Sequence, residues 1–178
     1  MTLFPLPEKF DVNEWFLLVI SVATYSLLLL PKRFPIMISV TLFMFGLSFS
    51  RWADFVISSP GALDLYDIND SPKLELADMF TYPLFGGWCY IFIYFYDKLR
   101  IRGLWKHLTY ILIFSFFGLG LEWVAEVCGM FTYKGWTLFL SFLFFITVQP
   151  ITIGFYHWLN RCYERYKSSN KWSGSEQS

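Results

Sequence analysis

Charge is scarce in this chain: across 178 residues, Lys, Arg, Asp and Glu together make up 16%, against roughly 25% in ordinary soluble domains. A fold wetted on all sides is therefore excluded. Net charge is zero, with fourteen cations against fourteen acids, and the basic stretches are accounted for by membrane topology, so no nucleic-acid partner is expected. Cysteine is rare as well. Cys89, Cys128 and Cys162 show no pairwise motif spacing and are expected at three different depths, which argues against a disulfide framework or a thiolate metal site. The opening stretch MTLFPLPEKFDVNEW has no positive n-region, so no cleaved signal peptide is expected. The acidic loop around Asp64, Asp67 and Asp70 lacks the glycine and terminal Glu of an EF-hand and reads as a solvated loop rather than a calcium site. Nothing in the sequence names a cofactor.

Apolar and aromatic side chains are abundant instead, at 56% and 22%. A soluble domain of this size has no room to hide them, whereas lipid solvates helix surfaces directly. The fold class expected is all-α, a polytopic membrane bundle of five transmembrane helices. Helix 1 should run from about Glu14 to Leu30, closed by Pro31, Lys32 and Arg33. Pro35 opens helix 2, which continues to about Ser58 before Pro60 and Gly61 stop it. After a polar loop, helix 3 should run from about Lys73 to Tyr96, helix 4 from Lys106 to Val127 and helix 5 from Trp136 to Leu159. Residues 1–160 then form one transmembrane domain, and 161–178 a basic, polar tail that starts helical and ends disordered.

Five spans place the loops alternately on two sides. One side receives Lys32, Arg33, Lys98, Arg100, Arg102, Lys106, Arg161, Arg165, Lys167 and Lys171, and the other Lys9, Arg51, Lys73 and Lys134 with most of the acids. By the positive-inside rule the N-terminus is outside and the C-terminus cytoplasmic. Trp15, Trp52, Trp105, Trp123, Trp136 and Trp158 fall near span ends, as an interfacial aromatic belt requires. His107 and His157 lie towards the cytoplasmic side and read as ordinary interface residues.

Two carboxylates interrupt helix 4. Leu108 to Leu121 holds only fourteen residues, and a span needs roughly 20, so Glu122 and Glu126 are carried into or against the bilayer. An ionised carboxylate there costs about 2.5 to 3.5 kcal/mol on insertion scales and so requires a polar partner, a recess or a proton. At 100° per residue, Ser115, Gly118, Glu122, Ala125 and Glu126 face protein, with Ile113, Phe117, Leu121 and Val124 facing lipid. Helix 3 should present Asp78, Tyr82, Gly86 and Cys89 on its inner face and Leu84, Trp88 and Ile91 on its back. The expected site is an outward recess lined by Asp54, Asp78, Glu122 and Glu126, with Arg51, Tyr82, Tyr133 and Trp123 around it as binding residues. A structural role for the same acids, fixing helix packing through polar partners, is an equal alternative.

Several motifs, LPKRFP at Leu30–Pro35, LADMFTYPL from Leu76, YFYDK at Tyr94–Lys98, LEW at Leu121–Trp123 and FTYKGW at Phe131–Trp136, resemble those of an uncharacterised family of small polytopic membrane proteins of spore-forming Bacillota. The resemblance implies a bacterial cytoplasmic (plasma) membrane and no particular chemistry. The order Glu122, Ala125, Gly129, Phe131, Tyr133 is more faintly similar to lycopene-cyclase-type membrane terpene cyclases, whose buried acids protonate isoprenoids. Where that family has a proline followed by paired acids, this chain has Pro150, Ile151 and Thr152. Three functions are open on this reading. The recess binds an apolar or amphiphilic ligand, such as a lipid or isoprenoid, or a partner membrane protein in a homo- or hetero-oligomer. It is a membrane-embedded isoprenoid or lipid enzyme, with Glu122 as general acid assisted by Asp78 or Glu126. Or the same acids relay protons or ions.

Overall fold

The structure, a computed structural model, describes residues 11–59, 61–68 and 76–175, with backbone alone at Leu28, Ile68, 76–80 and 170–175. Five helices carry the fold: α1 (Val12–Leu28), α2 (Ile36–Ser58), α3 (Leu76–Lys98), α4 (Leu104–Val127) and α5 (Leu138–Ser175). Three of them, α2, α4 and α5 over Leu138–Ser169, are long and apolar enough to cross a membrane, which makes the chain a helical membrane protein.

Local chemistry sets the helix ends. At the start of α1, Glu14 reaches back so that Oε2 accepts the Asp11 N–H at 2.8 Å, half of a capping box. Pro35 precedes α2. At the end of α4, Gly129 takes φ 82°, the Met130 N–H donates to Ala125 O and the Gly129 N–H to Glu126 O, both at 2.9 Å. This is a Schellman ending, and it turns the chain sharply back. α5 continues to Ser175, past the expected end of helix 5 near Leu159, because no proline or glycine stands between Leu159 and Trp172 to break it, and residues 176–178 of the tail lie outside the described residues.

The most enclosed helix is α3, packed by α1 on one side and α2 on the other and touching α5. Its expected lipid-facing back is therefore also a correction, since Leu84 and Ile91 are buried against α1 and its flanking segment, like Tyr90 and Tyr94 nearby. Glycine permits the α2–α3 approach: a Cβ on Gly46 would lie 2.5 Å from Cys89 Cβ and 2.7 Å from Phe85 O, and one on Gly86 2.8 Å from Phe43 O. The other close pair is α4 with α5. Between the two groups aromatic rings bridge the helices, with Phe45 stacked on Phe155 at 4.2 Å and Phe92 tilted against Tyr110 at 5.1 Å.

One end of the bundle is closed by polar ties. Arg33 Nε donates to Asp97 Oδ2 at 2.5 Å and Tyr156 Oη to Asp97 Oδ1 at 3.0 Å, which joins the LPKRFP and YFYDK motifs. Tyr96 Oη lies 2.8 Å from His107 Nε2 and 3.0 Å from His157 Nε2. Because His107 Nδ1 meets the Gly103 carbonyl at 2.8 Å, and a carbonyl only accepts, that nitrogen carries the hydrogen in the neutral ring. Nε2 then accepts from Tyr96, whose oxygen in turn accepts from His157. The two histidines, expected to be ordinary interface residues, are joined by one phenol.

Candidate functional site

The opposite end is covered by a ribbon of two short antiparallel strands, β1 (Tyr66–Ile68) and β2 (Phe131–Tyr133), with Tyr66 opposite Tyr133. The Leu65 carbonyl gathers the N–H groups of Lys134, Gly135 and Trp136 at 2.9, 3.0 and 3.0 Å. Lys134 Nζ binds Asp64 Oδ1 at 2.8 Å and Asp67 Oδ1 at 2.9 Å. These hydrogen bonds to Asp64 and Asp67 hold the Lys134 pKa above its ordinary value. Asp64 and Asp67 are thus partners of Lys134, and Asp70 lies outside the described residues.

Two tyrosines point from the ribbon into the bundle. Tyr66 is buried, with its ring edge-on to Phe131 at 5.8 Å and to Trp136 at 6.0 Å, and its hydroxyl donates to Asp54 Oδ1 at 2.5 Å. Tyr133 donates to Glu122 Oε1 at 2.8 Å. A second donor, the Ser141 hydroxyl, reaches the same Oε1 and accepts from Trp136 Nε1 at 2.6 Å. Indole, serine and carboxylate therefore form a short relay that fixes the Glu122 rotamer. Both converging donors use Oε1; among the described residues no hydrogen bond reaches Oε2, and it is not an enclosed atom.

Burial raises the pKa of both ribbon phenols, assisted at Tyr66 by the charge of Asp54 and at Tyr133 by Glu122. A phenol with a raised folded pKa contributes stability below its unfolded value of about 10 and loses it as pH rises further. Both hydroxyls therefore stay protonated donors through neutral pH. In an absorbance titration at 295 nm, the difference between wild type and the Tyr66→Phe, Tyr133→Phe double variant should be flat through about pH 10 and appear only with alkaline unfolding. A difference ionising at the ordinary phenol pH would contradict these hydrogen bonds.

Glu122 and Asp54 lie at one end of a half-open cavity of about 320 Å³ walled by the helices and, at that end, by the ribbon. This is the low end of the roughly 300 to 1,000 Å³ typical of small-molecule sites. Its walls are mostly apolar and rich in aromatic rings, with Phe49, Trp88, Phe114 and Phe144 among them. Gln149, Thr152 and Cys89 supply polar atoms away from the mouth. In the orientation that satisfies its neighbours, the Gln149 amide nitrogen donates to Ile111 O at 2.9 Å and its oxygen accepts from Ser115 Oγ at 3.2 Å.

Of the residues expected at the site, Asp54, Glu122 and Tyr133 line this cavity. Arg51 and Tyr82 do not; the guanidinium donates to the Tyr82 hydroxyl and stands 4.7 Å over its ring. Glu126, one turn beyond Glu122, is half-buried and outside the lining, and Trp123, turned 100° from Glu122, is 55% exposed. Asp78 belongs to α3, and its side chain lies outside the described residues. Leu121, expected to face lipid, lines the cavity, and Trp136, just ahead of α5, lines it too. Sequence reasoning missed Tyr66, Ser141 and Cys89 as lining residues. The one available signal was an apolar Leu65–Tyr66 and Ile68 inside an otherwise acidic loop. Among the described residues no group of three or more His, Cys, Asp or Glu converges to hold a metal ion. Comparison with protein-family models, curated proteins and solved structures finds no match to this chain.

Proposed function

We propose that this protein is a five-span receptacle of the bacterial cytoplasmic membrane that holds one apolar or amphiphilic molecule in its aromatic chamber. The observation that carries this reading is an apolar cavity of about 320 Å³ ending in a carboxylate whose hydrogen bonds from Tyr133 and Ser141 both fall on Oε1. Length supports five spans: α3 has 23 residues and α1 has 17, about 35 and 26 Å at 1.5 Å per residue, against a hydrocarbon core of about 30 Å. The weaker hydropathy of α3 follows from its enclosure by protein. The positive-inside rule supports the ribbon end as the outer one, and the likeness to the Bacillota membrane family supports the location.

A second reading, acid catalysis on an isoprenoid, is favoured by the same geometry. With Oε1 taken by two donors, a proton on Glu122, which lines the chamber, belongs on Oε2. Binding separates from turnover as follows. Protein in lipid nanodiscs should bind dodecanol saturably at one per chain, and Ser50→Phe, which places a ring in the chamber, should abolish it. Absence of saturable binding in the wild type contradicts the receptacle. An isoprenoid species that changes in cells carrying Glu122→Gln, with dodecanol binding intact, would establish the enzyme reading.

A further inference from the structure

Resting on the receptacle reading, we infer that the occupant is a cationic amphiphile, an amine or quaternary ammonium group on a single apolar tail. Among the described residues, Glu122 is met by the hydroxyls of Tyr133 and Ser141 and by the indole of Trp136, and none of the three brings a positive charge. No Lys, Arg or His of the described residues lines the chamber. Arg51, on the same helix as Asp54, is committed to the ring and hydroxyl of Tyr82, which lies outside the lining. Lys134 is held by Asp64 and Asp67 on the outer side of the ribbon. A carboxylate at membrane depth is costly without a counter-charge, and here that charge is left for the occupant to bring.

The walls suit the same group. An ammonium is attracted to the faces of Trp, Tyr and Phe when desolvated, and Trp136, Tyr133 and Tyr66 line the chamber beside Glu122 and Asp54. Deeper in, Phe49, Phe114 and Phe144 offer only apolar contact, which fits an alkyl or prenyl tail. The volume, at the small end of ligand sites, admits one chain and not a two-chain lipid. Asp54 adds negative potential at the same mouth while accepting from Tyr66.

The test compares head groups on a constant tail, in nanodiscs of neutral lipid, with dodecylammonium, dodecanol and dodecanoate as probes and tetramethylammonium as the tail-less cation. Dodecylammonium should bind about 10- to 100-fold more tightly than dodecanol, the factor for a hydrogen bond to a charged group, and both tighter than dodecanoate. Glu122→Gln, which keeps an oxygen for Tyr133 and Ser141, should erase the preference for dodecylammonium over dodecanol. Equal binding of dodecanol and dodecylammonium to the wild type overturns the cationic assignment and leaves the receptacle standing. So does a preference that survives in Glu122→Gln. Tetramethylammonium binding as tightly as dodecylammonium overturns the tail. If none of the probes binds, the receptacle itself falls. The wild-type comparison decides the matter even if the variant does not accumulate.

Discussion

Gly46→Val should destabilise the folded protein by about 3 kcal/mol, the upper end of ordinary overpacking costs. The reason lies in what the new side chain meets. Its Cβ alone would stand 2.5 Å from Cys89 Cβ and 2.7 Å from the Phe85 carbonyl oxygen, so the clash is largely with backbone and cannot be relieved by a rotamer change. The only relief is for α2 to back away from α3. That movement would also shift Ser50 and Asp54, one and two turns further along α2, and spoil the chamber wall they form. Gly120→Ala is the control. Nothing lies within 4 Å of a Cβ placed there, so the helix propensity of alanine should stabilise α4 by up to about 1 kcal/mol. Thermal unfolding in one detergent measures both. A Gly46→Val protein as stable as the wild type would mean that α2 and α3 do not approach this closely.

The second large effect concerns the roof. Tyr66 is buried, touches Phe131 and Trp136 by its ring edges and holds Asp54 by its hydroxyl, so it is the side chain through which the ribbon seals the chamber. Cys89 lines the chamber from α3 and reports on that seal. With Cys128 and Cys162 replaced by serine, Tyr66→Ala should raise the rate at which a polar maleimide added outside modifies Cys89 by about tenfold or more. That factor corresponds to lowering the cost of local opening by about 1.4 kcal/mol. Tyr66→Phe keeps the ring contacts and should fall between the two. Equal labelling in all three proteins would mean that access to the chamber does not pass under the ribbon.

Much of the helical framework was legible because its signals are local. Proline and glycine punctuate long apolar runs, and Glu122 stands out wherever a span is drawn through Leu108–Val127. The partnership of Glu122 with Tyr133 also follows from a short turn. What stayed hidden depends on contacts distant in sequence. The strands β1 and β2 have three residues each, too few for alternation to show, and they pair across more than sixty positions. Tyr66 therefore read as a loop residue. Tyr96, His107 and His157 meet from three helices for the same reason. The back face of α3 was misjudged because apolar residues look alike whether lipid or another helix covers them, and hydropathy does not distinguish the two.

The central claim is that an occupant sits inside the helices beside Glu122, beneath the ribbon. Crystals soaked with a dodecylammonium carrying bromine at its tail end locate it directly through anomalous scattering. The account predicts one ordered bromine per chain between α2, α3, α4 and α5, among Phe92, Phe114 and Gln149, with the ammonium density at Glu122 Oε2. Bromine found only on the outer, lipid-facing surface of the bundle, with the chamber empty at saturating probe, would contradict it.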